Sequence, residues 1–200
     1  MMGRWGFWAL VTGVLVVGLV FGVFLSQPYT IRGSIIDPPI PAADFVLDSS
    51  QGGEFQLSEH RGKFVMIFFG YTFCPDVCPT TLFEMKQVKQ GLKENADWLE
   101  FVFITVDPER DTADQLGRYL SSFDDNFYGL SGTEEKLSKV WEDYGVYREI
   151  QETDSAIGYL VDHTSRLYLI NPEGELMMTY LYDMSVDDIV ADLQHLIRKQ

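Results

Sequence analysis

The sequence predicts an α/β domain, a mixed sheet flanked by helices, behind one N-terminal transmembrane helix. Three observations predict it. Phe64 to Phe69 and Phe101 to Val106 are unbroken apolar runs, as in central strands covered on both faces. Between them Leu82, Met85, Val88 and Leu92 recur at helical spacing, so the unit reads strand–helix–strand with parallel strands. Ahead of these, Trp5 to Leu25 carries no charge. At ~1.5 Å rise per residue that stretch matches the ~30 Å hydrocarbon core of a bilayer.

From the amino end, residues 1–4 read as a cytoplasmic tail, 5–25 as the anchor, 26–43 as a linker and 44–200 as the domain. Val23-Phe24-Leu25-Ser26 is a poor cleavage sequence, which favours an uncleaved anchor over a signal peptide. Arg4 lies before the span and Arg32 after it, a slight bias that leaves the amino terminus in the cytoplasm. The domain is then expected in the periplasm, on the inner membrane of a bacterium. Pro28, Pro38, Pro39 and Pro41 make the linker extended.

Within the domain, Phe45-Val46-Leu47 and Phe55-Gln56-Leu57 flank Ser49-Ser50-Gln51-Gly52-Gly53, a small hairpin. Asp111-Thr112 caps a helix carrying Leu116 and Leu120, and Thr133 one carrying Leu137, Val140, Trp141 and Tyr144. Ser185 to Asp188 is a near capping box before Val186, Ile189, Val190, Leu193 and Ile197. Leu167 to Ile170 and Leu176 to Tyr180 flank Asn171-Pro172-Glu173-Gly174, an antiparallel hairpin.

Composition narrows the function. Hydrophobic residues are 46% of the chain, which excludes disorder. Fifteen Lys and Arg against thirty Asp and Glu give a net charge of −15, which excludes nucleic-acid binding and polybasic lipid docking. Two cysteines exclude a disulfide scaffold and a four-cysteine zinc site.

Those cysteines, Cys74 and Cys78, stand in Gly70-Tyr71-Thr72-Phe73-Cys74-Pro75-Asp76-Val77-Cys78-Pro79. Each precedes a proline and so leans extended, and Pro79 suits the first helical position with Cys78 as the cap. Both thiols are then expected in a loop at a helix amino end, where the dipole favours thiolate. A structural disulfide closing so short a loop yields only ~2 kcal/mol in the chain-entropy model, a poor use of the domain's only cysteines. Redox chemistry and soft-metal binding remain. Copper suits a pair of thiolates: Cu(I) prefers sulfur and low coordination, and Cu(II) prefers an added nitrogen. Three histidines are available. His60 lies in a polar turn and His195 off the apolar stripe of the last helix. His163, in Val161-Asp162-His163-Thr164, lies just before a strand with Asp162 placed to orient it. From spacing alone, a lone histidine there reads as an ordinary loop residue.

The cysteine block resembles the signature of the Sco/SenC family of copper metallochaperones. So do Val106-Asp107-Pro108-Glu109-Arg110-Asp111-Thr112, Tyr144-Gly145-Val146-Tyr147 and Val161-Asp162-His163-Thr164, in the same order. The resemblance runs from about Pro39 to the end. It implies a thioredoxin-like fold with a β-hairpin insertion. It implies that Cys74, Cys78 and His163 bind one copper, as Cu(I) or Cu(II). It also implies a role in assembling the binuclear copper centre of a cytochrome c oxidase, with the oxidase subunit, a copper donor and a thiol reductant as partners.

The alternative is an enzyme: a thiol–disulfide oxidoreductase in which Cys74 and Cys78 form the redox-active pair and reduce the oxidase cysteines. Three residues between the cysteines, rather than two, disfavour it. A peroxiredoxin-type peroxidase is disfavoured because Thr72 is two rather than three residues before Cys74. Met66 and Met85 read as core filler. Met177, Met178 and Met184 read as surface or packing residues. Asp107, Glu109 and Asp111 read as caps and turn residues rather than a hard-cation site. Asp76, between the cysteines, fits a turn or a thiolate-tuning role equally.

Overall fold

The computed structural model describes residues 3, 5, 8, 12–18, 29–154 and 157–200. They belong to two compact units, Met1–Ile31 and Arg32–Gln200. In the first, residues 12–18 are helical. Much of the expected anchor, 5–25, lies outside the described residues. Among those described, no helix is long and apolar enough to cross a membrane.

The second unit runs β1 (Ser34–Pro41), β2 (Val46–Ser49), β3 (Glu54–Gln56), β4 (Phe64–Gly70), α1 (Val77–Leu92), β5 (Leu99–Thr105) and α2 (Ala113–Leu120). It continues with β6 (Tyr128–Ser131), α3 (Glu134–Asp143), β7 (Arg148–Glu152), β8 (Tyr159–His163), β9 (Arg166–Ile170), β10 (Glu175–Leu181) and α4 (Val186–Ile197). Eight strands form one sheet in the order β1-β10-β9-β4-β5-β6-β2-β3, and β7 and β8 form a separate hairpin. The expected strand–helix–strand unit is present: β4 pairs parallel with β5 along its whole length. On its other side β4 pairs antiparallel with β9, so it lies at the sheet centre. Every residue of β4 is buried, which is why its sequence is apolar without alternation.

Helix starts follow the sequence signals. Thr112, Thr133 and Ser185 each accept the backbone N–H three residues on, at 3.2, 3.3 and 3.2 Å. Helix α1 buries Cys78, Thr81, Leu82, Met85, Val88 and Leu92, one stripe at helical period. It packs against α4 at Gly91, where an added Cβ would stand 2.8 Å from Val190. Gln194 of α4 also donates to the Gly91 carbonyl at 3.1 Å. The β9–β10 hairpin closes with the Gly174 N–H donating to the Asn171 carbonyl at 2.9 Å, and Gly174 takes φ +87.

Three expectations change. Part of the linker 26–43 is strand: β1 pairs antiparallel with β10, Ser34 with Thr179 and Pro41 with Glu175. Its prolines are tolerated because β1 is an edge strand, and the register shifts between Ile35 and Ile40, around Pro38 and Pro39. Strands β6, β7 and β8 were not anticipated. Strand β6 is buried from Gly129 to Ser131 but is only four residues with a glycine inside, too short to show a period, and β7 (Arg-Glu-Ile-Gln-Glu) is almost wholly exposed, with no buried face to read. Third, α1 begins at Val77, so Cys78 lies in its first turn rather than capping it. Pro79 is then the third helical residue. It forfeits no helical bond there, because first-turn N–H groups have no partner within the helix.

Candidate metal centre

The site sits where β4 ends. Gly70 closes the strand, the chain turns through Tyr71 to Pro75, and α1 begins. The Cys74 N–H donates to the Tyr71 carbonyl at 3.3 Å, which folds the loop back on itself. Asp76, the residue ahead of α1, makes no side-chain cap. The Cys74 sulfur does that work instead, accepting the Cys78 N–H at 3.3 Å. Cys78 is the first member of the buried stripe of α1 and is fully buried, whereas Cys74 is half-buried. Stepping back by helical spacing from Leu82 and Met85 gives Cys78, the sequence signal for its place on the stripe.

Burial and hydrogen bonding split the two thiols. The Cys78 thiol beside it, with the backbone N–H groups of Asp76 and Cys78, draws Cys74 down to about 4 against the effect of burial. Cys78 is pushed well up by burial and by the neighbouring Cys74. At neutral pH the pair is one thiolate, at Cys74, and one thiol, at Cys78.

His163 is the last residue of β8, not a loop residue. Its Nε2 lies 3.7 Å from the Cys78 Sγ. Its Nδ1 lies 3.1 Å from the Thr164 carbonyl, which can only accept, so Nδ1 carries the proton and the Nε2 lone pair faces the sulfurs. The expected orienting residue, Asp162, does not do this. It is exposed and neighbours His163 along a strand, where adjacent side chains point to opposite faces. The imidazole is edge-on to Phe68 and Tyr71, with ring centroids 6.2 and 5.9 Å away.

The structure thus brings Cys74, Cys78 and His163 together. Among the described residues no three Cys, His, Asp or Glu side chains stand preset as a metal cage. The trio is a chain of contacts, Cys74 to Cys78 and Cys78 to His163. Two sulfurs and one imidazole nitrogen, dry on one side and open at Cys74, form a donor set suited to a soft or borderline ion. The other histidines are elsewhere in the fold. His60 stacks on Phe55, centroids 3.9 Å apart, and contacts Glu100 through Nδ1 at 2.5 Å. His195 lies in the last turn of α4. Met66, Met85 and Met178 are buried in the core.

Residues read in the sequence only as cap, turn or signature positions support the trio. Asp111, fully buried, accepts from the Thr72 N–H, the Thr72 hydroxyl and the Thr105 hydroxyl, tying the cysteine loop to the end of β5. Burial pushes its carboxyl up in spite of those bonds. Arg110 donates to Asp107 and to the carbonyls of Ile157 and Tyr159, and stacks 3.6 Å from the Tyr159 ring centroid and 4.7 Å from that of Phe73. The Asp107 carbonyl closes the turn, accepting the Arg110 and Asp111 N–H groups at 3.2 and 2.9 Å, and the helix cap is Thr112 rather than Asp111.

The SCO1/SenC family model matches residues 36–198. The chain belongs to the SCO1/SenC family. Among its relatives, the SCO2-like protein of Rickettsia felis is 36% identical over 152 residues, covering 76% of this chain and 74% of that one. The copper-bound structure of Bradyrhizobium japonicum ScoI matches at TM-score 0.72 and 38% identity, covering 78% of this chain and 99% of that one. Copper-bound yeast Sco1 matches at TM-score 0.73 and 30% identity, covering 81% and 91%. At 20% identity the BsSco structure still shares the fold, with TM-score 0.64. The large mixed sheet flanked by helices is the thioredoxin-like Sco fold that the sequence resemblance implied.

Proposed function

We propose that this SCO1/SenC protein carries one copper ion on Cys74, Cys78 and His163, as cargo, and hands it on during assembly of the binuclear copper centre of a cytochrome c oxidase. The observation that carries this reading is the imidazole: Nδ1 is tied to a carbonyl and Nε2 faces Cys78 at 3.7 Å. Copper bound to the Bradyrhizobium and yeast Sco structures supports it. In this reading Cu(I) sits on the two thiolates, with the Cys78 proton released on binding. Cu(II) recruits His163, since the harder ion gains from nitrogen. Two thiolates with Cu(I) carry one negative charge, and two thiolates with an imidazole and Cu(II) carry none, so either state costs little in a half-buried place. Transfer proceeds by exchange of thiolate ligands with a partner. A copper donor and a thiol reductant are needed upstream, because only reduced cysteines bind the ion.

The apolar stretch 5–25 serves in this reading as a single anchor in the bacterial inner membrane, with the copper domain in the periplasm. A thiol–disulfide exchange role has one observation in its favour. Cys74 is a half-buried thiolate beside a buried thiol, the arrangement of an attacking and a resolving cysteine.

Titration of the full chain and its variants with each ion tests the assignment. Cys74→Ala and Cys78→Ala each abolish tight Cu(I) binding, and His163→Ala weakens Cu(II) more than Cu(I). Equal retention of both ions without His163 removes it from the site. Fast catalytic reduction of an oxidised acceptor under a continuous supply of electrons would favour the exchange role.

A further inference from the structure

We infer that Tyr71 is a positioning residue that fixes His163 over the sulfur pair and so sets how strongly the site holds Cu(II) relative to Cu(I). This rests on the copper reading above. Tyr71 touches both halves of the site. Its carbonyl accepts the Cys74 N–H at 3.3 Å, holding the cysteine loop. Its phenol oxygen accepts the Val161 N–H at 3.2 Å, a bond buried at both ends, two residues before His163 on β8. Its ring meets the His163 imidazole edge-on, the planes at 86°.

The geometry gives that bond unusual leverage. Among the described residues the β7–β8 hairpin forms a sheet of its own, so His163 is placed by its continuity with β9, which begins three residues on, and by the ties that hold the hairpin down. Arg110 ties the far end through the Ile157 and Tyr159 carbonyls. Arg148, which pairs with His163 across the hairpin, donates to the Val106 carbonyl. Tyr71 is the tie that comes from the cysteine loop itself. Val161 and His163 lie two apart on one strand, so their side chains share a face, and a shift of Val161 moves His163 with it. Without the phenol oxygen, the buried Val161 N–H loses its partner and the hairpin is free to shift until it finds another. Cu(I) can remain on two sulfurs through such a shift, whereas Cu(II) loses its nitrogen.

The test compares the full chain with its Tyr71→Phe, His163→Ala and doubly substituted forms. Phenylalanine keeps the ring and removes only the oxygen. In the copper-free protein, Tyr71→Phe is expected to speed amide exchange at Val161 about tenfold, the scale of one lost hydrogen bond. With copper, the Cu(II) dissociation constant rises about tenfold and the Cu(II) paramagnetic resonance spectrum changes, while Cu(I) affinity stays within about twofold. The double variant binds Cu(II) no more weakly than His163→Ala alone, because the tyrosine acts through the histidine. Wild-type Cu(II) affinity and spectrum in Tyr71→Phe, beside a clear loss in His163→Ala, overturn the positioning role and leave the ligand set standing. A lowered unfolding midpoint with an unchanged Cu(II) spectrum does the same. An unchanged Cu(II) spectrum in His163→Ala removes the ligand set itself, and the positioning role with it.

Discussion

Asp111 holds Thr72 twice, accepting its backbone N–H at 3.0 Å and its hydroxyl at 2.5 Å. Thr72 is two residues before Cys74, so a carboxylate from beyond β5 fixes the approach to the first sulfur. Asp111→Ala leaves the Thr72 and Thr105 donors without their acceptor in a buried place. It should cost roughly 2–4 kcal/mol of stability, measured by chemical denaturation, and loosen copper binding.

The same carboxyl predicts a pH dependence. Its folded pKa lies above the ordinary 3.8, so the folded protein holds a proton that the unfolded chain has released. Its contribution to stability is present below the unfolded value and is lost as pH rises through the folded value. Asp111→Asn should flatten that part of the acid-side stability profile, read as unfolding midpoints from about pH 3 to 7.

Gly70 is where the sheet and the sulfur meet most closely. A Cβ built there would stand 2.8 Å from the Phe103 ring and 3.0 Å from the Cys78 Sγ. Gly70→Ala must displace one of them. It should destabilise by roughly 1–3 kcal/mol, the usual range for overpacking, and lower copper affinity more than a stability-matched change elsewhere does.

The two thiols should label differently. In the reduced, copper-free chain Cys74 reacts with an alkylating reagent at neutral pH and Cys78 does not. The rate at Cys74 persists down the pH scale and falls off near pH 4, where the thiolate takes up its proton. A free-thiol profile with its midpoint near pH 9 contradicts the split described here.

Asp192 of α4, which touches none of the three candidate ligands in any bond described, is fully buried and accepts the backbone N–H groups of Arg32 and Gly33 at 3.0 Å each. It secures the chain where the domain begins. Asp192→Ala should cost roughly 2–4 kcal/mol yet leave the copper affinity of the folded protein unchanged, which separates anchoring of the chain from metal chemistry.

The features legible in the sequence are those with strong local signals. The continuous apolar runs are β4 and β5, the Thr112, Thr133 and Ser185 caps start their helices, and Asn171 to Gly174 makes its turn. What escaped depends on long-range geometry. Strand β1 reads as a proline-rich tether because its pairing partner lies over a hundred residues away in β10. Strand β7 is polar because it packs little of itself. At the site, residue types named both cysteines, but spacing did not single out His163, whose place beside Cys78 comes from the separate hairpin. Asp111 reads only as part of a helix cap, and nothing in the local pattern marks Asp111, Arg110 or Tyr71 as a support of the site. Their roles exist only once β4, β5 and the hairpin converge.

The most direct measurement is the copper content of the reduced full chain after exposure to a competing Cu(I) chelator of moderate affinity. The account predicts one ion retained per wild-type chain and none in Cys74→Ala or Cys78→Ala. A wild-type chain that gives up its copper to the chelator, or a cysteine variant that keeps it, contradicts the account.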